Sequence, residues 1–238
     1  MKLVISQPMF FPWVGFFEQI KLCDAYVHYN DVQYSKGSFT NRVQVKAPEG
    51  IKWLTVPLKN LKLGQPINEV EIDNKSDWRT SHKNLLIRCY QDSPFFGEML
   101  EIVEAIYMKD WELLDDLSLA SLNIVSNYYG LLDMKTVTHI GNLDVQGKSS
   151  ERVLAICKAL HANTYITGHG ASKYLNHQIF EQAAIKVEYM SYEKKPYSQR
   201  FGDFTPYVSI LDLIANMGKD GINWICSGTI YWKDFMHE

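Results

Sequence analysis

The first 29 residues constrain this chain more than any other stretch. Lys2-Leu-Val-Ile-Ser6 is an apolar run of strand length that stops at Gln7-Pro8, where proline withdraws a backbone donor and ends regular pairing. Pro12 suits the first turn of a helix, and Phe16, Phe17, Ile20 and Leu22 give that helix an apolar face. Asp24-Ala-Tyr-Val-His-Tyr29 then reads as a second strand. Strand, helix and strand so close together form a βαβ unit, which implies a parallel sheet with a right-handed crossover. Ligands of such sheets bind outside the carboxyl ends of the strands. Gln7-Pro8 and the segment after Tyr29 share that rim.

The hydrophobic period changes after Asp31. Asn41-Arg-Val-Gln-Val-Lys46 and Lys52-Trp-Leu-Thr-Val-Pro57 read as strands around a Pro48-Glu-Gly50 turn, and 68–73 alternates as a third. Together they predict a small antiparallel extension, about residues 31–75, attached to the parallel sheet. Residues 77–135 read as a helical insertion. A helix runs from an Asp77 cap to Tyr90, Pro94 breaks it, and helical patterns at roughly 97–107 and 111–129 end at Gly130. A strand follows near 136–140, then a Ser-capped helix over 149–160. The stretch 163–167 is a strand that runs into Gly168-His-Gly170, and another helix begins at Ala171. A last strand at 186–190 and an amphipathic helix at 209–217 complete a single α/β domain spanning 1–238.

Composition narrows the function. Lys and Arg number 24 against 27 Asp and Glu, for a net charge of −3. This removes the bulk electrostatic argument for DNA binding. Cys23, Cys89, Cys157 and Cys226 are scattered with no Cys-x-x-Cys pair, so they read as buried reduced thiols. His161, His169 and His177 lack metal-ligand spacing, and no metal is expected. The opening apolar run is too short for a signal core or a membrane span, which makes the cytoplasm the expected compartment. Aromatics make up 13% of the chain, a fraction suited to holding a polar organic ligand against flat side chains.

Four segments carry candidate chemistry. Ser6-Gln-Pro-Met-Phe-Phe-Pro-Trp-Val-Gly-Phe-Phe17 packs proline, glycine and aromatics into the first strand-to-helix turn. Small or kinked residues such as Gly15 let backbone N–H groups approach a ligand there. The same aromatics serve equally as a lock seating the helix on the sheet, whereas Gln7 is harder to explain by packing. The loop after Tyr29 gathers Asp31, Gln33, Lys36, Asn41 and Arg42, enough to grip a sugar or phosphate, or merely a solvated turn. His169, between Gly168 and Gly170 at a strand end, is open to ligand and titrates in a useful range. Gln146-Gly-Lys-Ser-Ser-Glu-Arg152 is not a Walker loop and reads first as a helix start. No Gly-x-Ser-x-Gly elbow is present, which argues against a serine hydrolase, and His82 reads as structural.

Gln7-Pro-x-x-Phe-Pro-Trp-x-Gly-Phe-Phe17, Asp31-Val-Gln-Tyr-Ser-Lys36, Asn41-Arg42, Trp53-Leu-Thr-Val-Pro57, the stretch 168–175 and Phe204-x-Pro-x-x-Ser-Ile-Leu-Asp-Leu213 resemble the WbqC-like family over nearly the whole chain. That family is associated with bacterial O-antigen and related surface-polysaccharide clusters. The resemblance implies a transferase acting on a nucleotide-linked amino sugar of dTDP or UDP type. The preferred chemistry is transfer of an aminoacyl group such as glycine to the sugar amine. A more distant similarity in layout, to pantothenate synthetase and the nucleotidyltransferase or HUP-like sheets, supplies an alternative, an ATP-dependent amide ligase. That group would place a His pair where this chain has aromatics and Gly15. ATP or an aminoacyl donor such as aminoacyl-tRNA is the implied co-substrate. A non-catalytic sugar-nucleotide binder and a homodimer built on aromatic surface are the other readings.

Amine attack needs a neutral nitrogen and hence a general base. His169 is the first candidate and Asp31 the second. Lys36 and Arg42 would neutralise phosphate or a developing oxyanion, with Gln7, Gln33 and Asn41 orienting hydroxyls. Phe11, Trp13 and Tyr174 would stack on a base or a pyranose, and Gly168 and Gly170 would leave room for it.

Overall fold

The computed structural model describes residues 1–237. Strand β1 (Lys2–Ser6), helix α1 (Val14–Leu22) and strand β2 (Ala25–His28) form the opening unit, with β1 parallel to β2 and Leu3 opposite Ala25. Helix α1 begins two residues after Pro12. The Pro12 carbonyl accepts from the Ile210 amide (2.9 Å) and Trp13 bridges Ser209, so both residues stay extended.

Strands β3 (Arg42–Ala47) and β4 (Gly50–Thr55) form the expected hairpin, and β5 (Leu58–Lys59) pairs with β6 (Glu71–Ile72). Each pair is its own two-stranded sheet, unbonded to the central one, which corrects the expected attachment. The predicted strand at 68–73 shortens to β6 for a clear reason. The Ile67 and Asn68 amides donate to the Val32 and Asn30 carbonyls (2.9 and 3.0 Å), so that backbone serves the preceding loop.

Helices α2 (Trp78–Tyr90), α3 (Phe96–Tyr107) and α4 (Leu114–Tyr128) follow, and Asp77 caps α2 by accepting from the Thr80 amide. Then come β7 (Thr136–His139), α5 (Ser149–Ala159), β8 (Thr164–Thr167), α6 (His177–Gln182), β9 (Lys186–Ser191), α7 (Ile210–Met217), β10 (Gly228–Tyr231) and α8 (Trp232–Phe235). Helix α5 lacks the predicted serine cap. The Ser150 hydroxyl instead accepts from the Asn176 amide (2.9 Å), tying α5 to the chain entering α6. The helix predicted from Ala171 is a 3₁₀ stretch, His169–Lys173, and α6 starts only at the Asn176 cap. Strand β10 has no sequence signature, because its four residues, starting on the glycine of Ser227-Gly228, are too few to show a period.

The central sheet runs β10–β9–β8–β1–β2–β7. All neighbours are parallel except β10, which is antiparallel to β9. This is the Rossmann-like α/β architecture. The chain lays β2 and β7 on one side of β1, then returns to place β8 and β9 on the other. The order reverses between β1 and β8, so neighbouring crossovers leave in opposite directions and open a crevice there.

Both sheet faces are covered. Val4, Tyr26 and Ile166 face the larger core with α1 to α4 and α7, while Leu3, Ile5, Val27 and Tyr165 face the smaller core with α5 and α6. Period-two alternation between two buried faces is why these strands read as continuous apolar runs. In the turn between β1 and α1, Phe10 and Phe11 are fully buried, and Phe11 takes a left-handed φ of 40°. Its amide donates to the Ser121 hydroxyl (3.0 Å) and its carbonyl accepts from the Ser209 hydroxyl (2.9 Å). Ser121→Ala leaves a buried N–H without an acceptor, and the expected loss is about 1–3 kcal/mol of unfolding free energy. Chemical denaturation measures it. An unchanged midpoint would mean that α4 does not hold the turn.

Candidate functional site

A cleft of about 350 Å³ opens at the β1–β8 reversal, within the size range of small-molecule sites, roughly 300–1,000 Å³. Ser6 and Gln7 come from the end of β1, Thr167 and Gly168 from the end of β8 and the turn beyond it, and Gln19 from α1. Tyr29, Tyr174 and Gly170 complete the polar and aromatic wall, and Ile5, Met9, Val153, Tyr165 and Ala171 fill its floor and sides. No lining side chain carries a full charge. Amides, hydroxyls and tyrosine rings are left as the means of recognition, and burial holds the Tyr29 and Tyr174 phenols above their ordinary titration range. The wall at Gly168 is close-packed. A Cβ there would sit 3.2 Å from the Tyr192 hydroxyl, which accepts from the Gln19 amide at 3.0 Å.

Charged groups stand beside the cleft, already engaged. Asp31 receives two hydrogen bonds from the Arg152 guanidinium, at 3.0 and 2.5 Å. The same guanidinium lies 5.2 Å from the Tyr29 ring, and its bond to Asp31 holds it more firmly protonated still. In the sequence Arg152 belongs to a helix start, and nothing local marks its partner 121 residues away. The His169 ring lies outside the cleft wall formed by its glycine neighbours. It packs against Tyr192 and Phe235, and Nε2 sits 2.6 Å from the Met190 carbonyl. A carbonyl only accepts, so Nε2 carries a hydrogen, and in the neutral ring the lone pair is on Nδ1.

The remaining expected residues gather elsewhere. Lys36, Asn41 and Arg42 line a separate groove with Tyr34, Pro57 and Leu61 beside the β3–β4 hairpin. Arg42 lies over the Trp53 ring at 4.3 Å and donates to the Gly37 carbonyl, while Asn41 accepts from Tyr34 and donates to the Val56 carbonyl. Gln33 is exposed and bridges Pro66. Phe11 belongs to the core. Thus Gln7, Gly168, Gly170 and Tyr174 share the cleft, with Asp31 and His169 flanking it.

Trp13 and Gly15 border a second, small pocket together with Glu18, Lys194, Lys195, Tyr197, Phe204 and Trp224. Gly15 has a steric reason to be glycine, because a Cβ would fall 2.2 Å from the Trp13 indole. Glu18 is only 2% exposed, and burial pushes its carboxyl up to about 7; hydrogen bonding from Ser227 and the Cys226 backbone offsets part of the effect. The sequence signal for Glu18 is its place among Phe16, Phe17 and Ile20, on a helix of which six residues are buried.

Among the described residues, no group of three or more His, Cys, Asp or Glu side chains is arranged to hold a metal ion, and no helix is long and apolar enough to cross a membrane. All four cysteines are free thiols, three of them buried.

A switch-point cleft in a mostly parallel, doubly covered sheet defines an α/β protein of Rossmann-like architecture. The chain belongs to the WbqC-like protein family, whose model matches residues 7–224. It is also similar to the uncharacterized protein Rv1507c of Mycobacterium tuberculosis (strain ATCC 25618 / H37Rv), at 30% identity over 227 residues, 94% of this chain and 97% of that protein. No solved structure matches the chain.

Glu18 makes the stability of the fold depend on pH. Its carboxyl ionises near 4.5 in the unfolded chain and near 7 in the folded one. Between those values the folded state keeps a proton that the unfolded state has lost, so stability falls as pH rises through the window and then levels off. The displacement corresponds to about 3 kcal/mol. Glu18→Gln is expected to flatten this part of the profile. Unfolding free energies of both proteins at pH 5 and pH 8 decide it, and equal slopes would contradict the assignment.

Proposed function

We propose that the switch-point cleft binds the sugar of a nucleotide-linked amino sugar, of dTDP or UDP type, and that the protein transfers an aminoacyl group such as glycine to the sugar amine. One observation carries the choice of ligand. The cleft wall combines the Gln7 and Gln19 amides, the Ser6 and Thr167 hydroxyls and the Tyr29 and Tyr174 rings, with no charged side chain. Hydroxyls of a neutral pyranose pair with amides, and its apolar face stacks on tyrosine. A cleft built for a free anion would present cations in its wall.

The amine attacks the carbonyl carbon of the activated acyl group. A C–N bond forms, the bond to the donor's leaving group breaks, and the amine's proton passes to a base. His169 Nδ1 is that base, since the Met190 carbonyl holds the hydrogen on Nε2. Asp31 acts through Arg152, fixing a guanidinium beside Tyr29 where a diphosphate leaving the cleft along α5 would meet it. Membership in the WbqC-like family supports a role in O-antigen or related surface-polysaccharide synthesis, through the association of that family.

Mass spectrometry tests this after incubation with a panel of dTDP- and UDP-linked amino sugars, glycine, ATP and aminoacyl-tRNA. A sugar nucleotide heavier by one aminoacyl residue is expected. If the gain requires aminoacyl-tRNA the reaction is transfer; if it requires ATP the protein is an amide ligase instead. Tight binding with no mass gain in any arm makes it a non-catalytic binder. With the gain established, His169→Ala should lower turnover at least about a hundredfold while melting temperature holds. Near wild-type turnover would remove His169 from the chemistry.

A further inference from the structure

The groove beside the β3–β4 hairpin encloses about 300 Å³ and shares no lining residue with the switch-point cleft. Tyr34, Val56, Pro57, Leu58 and Leu61 supply its apolar surface, and Leu61 is 41% exposed. Of the lining side chains only Lys36 and Arg42 are charged, and both are cations. On a chain of net charge −3, a groove with two positive charges and no acid runs against the average.

The pairing of charges around it is uneven. The chain has five arginines. Arg79, Arg88, Arg152 and Arg200 each pair with a carboxylate, at 3.6, 2.7, 2.5 and 2.9 Å. Among the described residues Arg42 pairs with none. Its guanidinium is nonetheless held in place, by the Gly37 carbonyl at 2.5 Å and by the Trp53 ring at 4.3 Å. A glycine fits that position because Gly37 takes a left-handed φ of 83°. The turn is closed by the Ser38 amide on the Ser35 carbonyl (3.1 Å), and it brings Lys36 to the same groove. Lys36 is exposed, with no ion pair among the described residues. The carboxylates of this region are engaged with other cations: Glu49 with Lys52 and Arg88, and Glu71 with Lys59.

We propose that this groove binds a small organic phosphate, with the phosphate between Lys36 and Arg42 and an apolar ring packed against Tyr34, Pro57 and Leu61. A phosphate monoester carries close to two negative charges and three strong acceptor oxygens. It therefore matches two cations, one of them a guanidinium with donors left over after its bond to Gly37. A carboxylate brings half the charge and one oxygen fewer. The apolar surface sets the second requirement, since a bare phosphate would leave it wet, and an uncharged ring would leave both cations unpaired. The proposal stands whatever the switch-point cleft binds, because the two sites have no residue in common.

Phenyl phosphate is the probe, titrated into the full chain at pH 7.5 and fixed ionic strength, with the Gly37 amide and the Trp53 indole N–H followed by ¹H–¹⁵N NMR. The Gly168 and Gly170 amides report on the switch-point cleft in the same spectra. Inorganic phosphate is the control without a ring, and phenol the control without charge. Wild-type protein should give saturable shifts at Gly37 and Trp53, with Gly168 and Gly170 unmoved. Both controls should bind at least about tenfold more weakly, as should phenyl phosphate to Arg42→Gln; Lys36→Gln should lose about fivefold. No saturable response in the wild type overturns the proposal. So does a response at Gly168 and Gly170 in place of Gly37, or equal binding of either control. Should Arg42→Gln fail to fold, Lys36→Gln decides, because it alters an exposed side chain; undiminished affinity there refutes the site.

Discussion

Between β1 and α1 the backbone passes through Phe11 in a left-handed conformation, which a residue with a Cβ adopts only where its surroundings impose it. Here the surroundings are two serine hydroxyls, Ser121 from α4 and Ser209 at the start of α7. Both partners come from far along the chain, so the turn is held only once α4 and α7 have docked. The bend sends the chain from the end of β1 into α1, leaves Gln7 at the mouth of the cleft and buries Phe10 and Phe11 beneath it. It also fixes how α1 is rotated. Gln19 then meets the cleft and Glu18 the small pocket.

The distribution of charge follows the same geometry. Inside the cleft, recognition is left to amides, hydroxyls and rings. Around it, each ionisable group is already committed: Asp31 to Arg152, His169 Nε2 to the Met190 carbonyl. Such commitments select a tautomer and an orientation before any ligand arrives, which is how a site limits the reorganisation it must undergo. Glu18 is the exception. Its unpartnered Oε2 is costly to bury.

The local parts of the fold were legible in the amino acids because they rest on neighbours. Leu3, Val4 and Ile5, just before Ser6-Gln7-Pro8, make the core of β1, and Asp77 caps α2 across three residues. The departures come from contacts between distant residues. Residues 67–68 spend their amides on the 30–32 loop, and Ser150 bonds to Asn176 rather than capping its own helix. The loop from Asp31 to Arg42 looked like one ligand-gripping segment, yet it spans two environments. Asp31 points back to α5, while Asn41 and Arg42 are taken up by Tyr34, Val56, Gly37 and Trp53 at the hairpin. Sequence proximity groups such residues together; the direction of the chain between them separates them.

Residue order by itself determined that this is an α/β chain with a parallel unit at its start, and it pointed to the rim after Ser6 and Tyr29, where the switch-point cleft opens. Those statements depend on hydrophobic period and on proline and glycine, which act within a few residues. Only the tertiary structure decided that β8 returns to the far side of β1, that Arg152 reaches Asp31, and that Glu18 is buried with one carboxylate oxygen unpaired. Each is a contact between residues distant in sequence. Strand order and burial depend on how the whole core closes, and no local pattern encodes that.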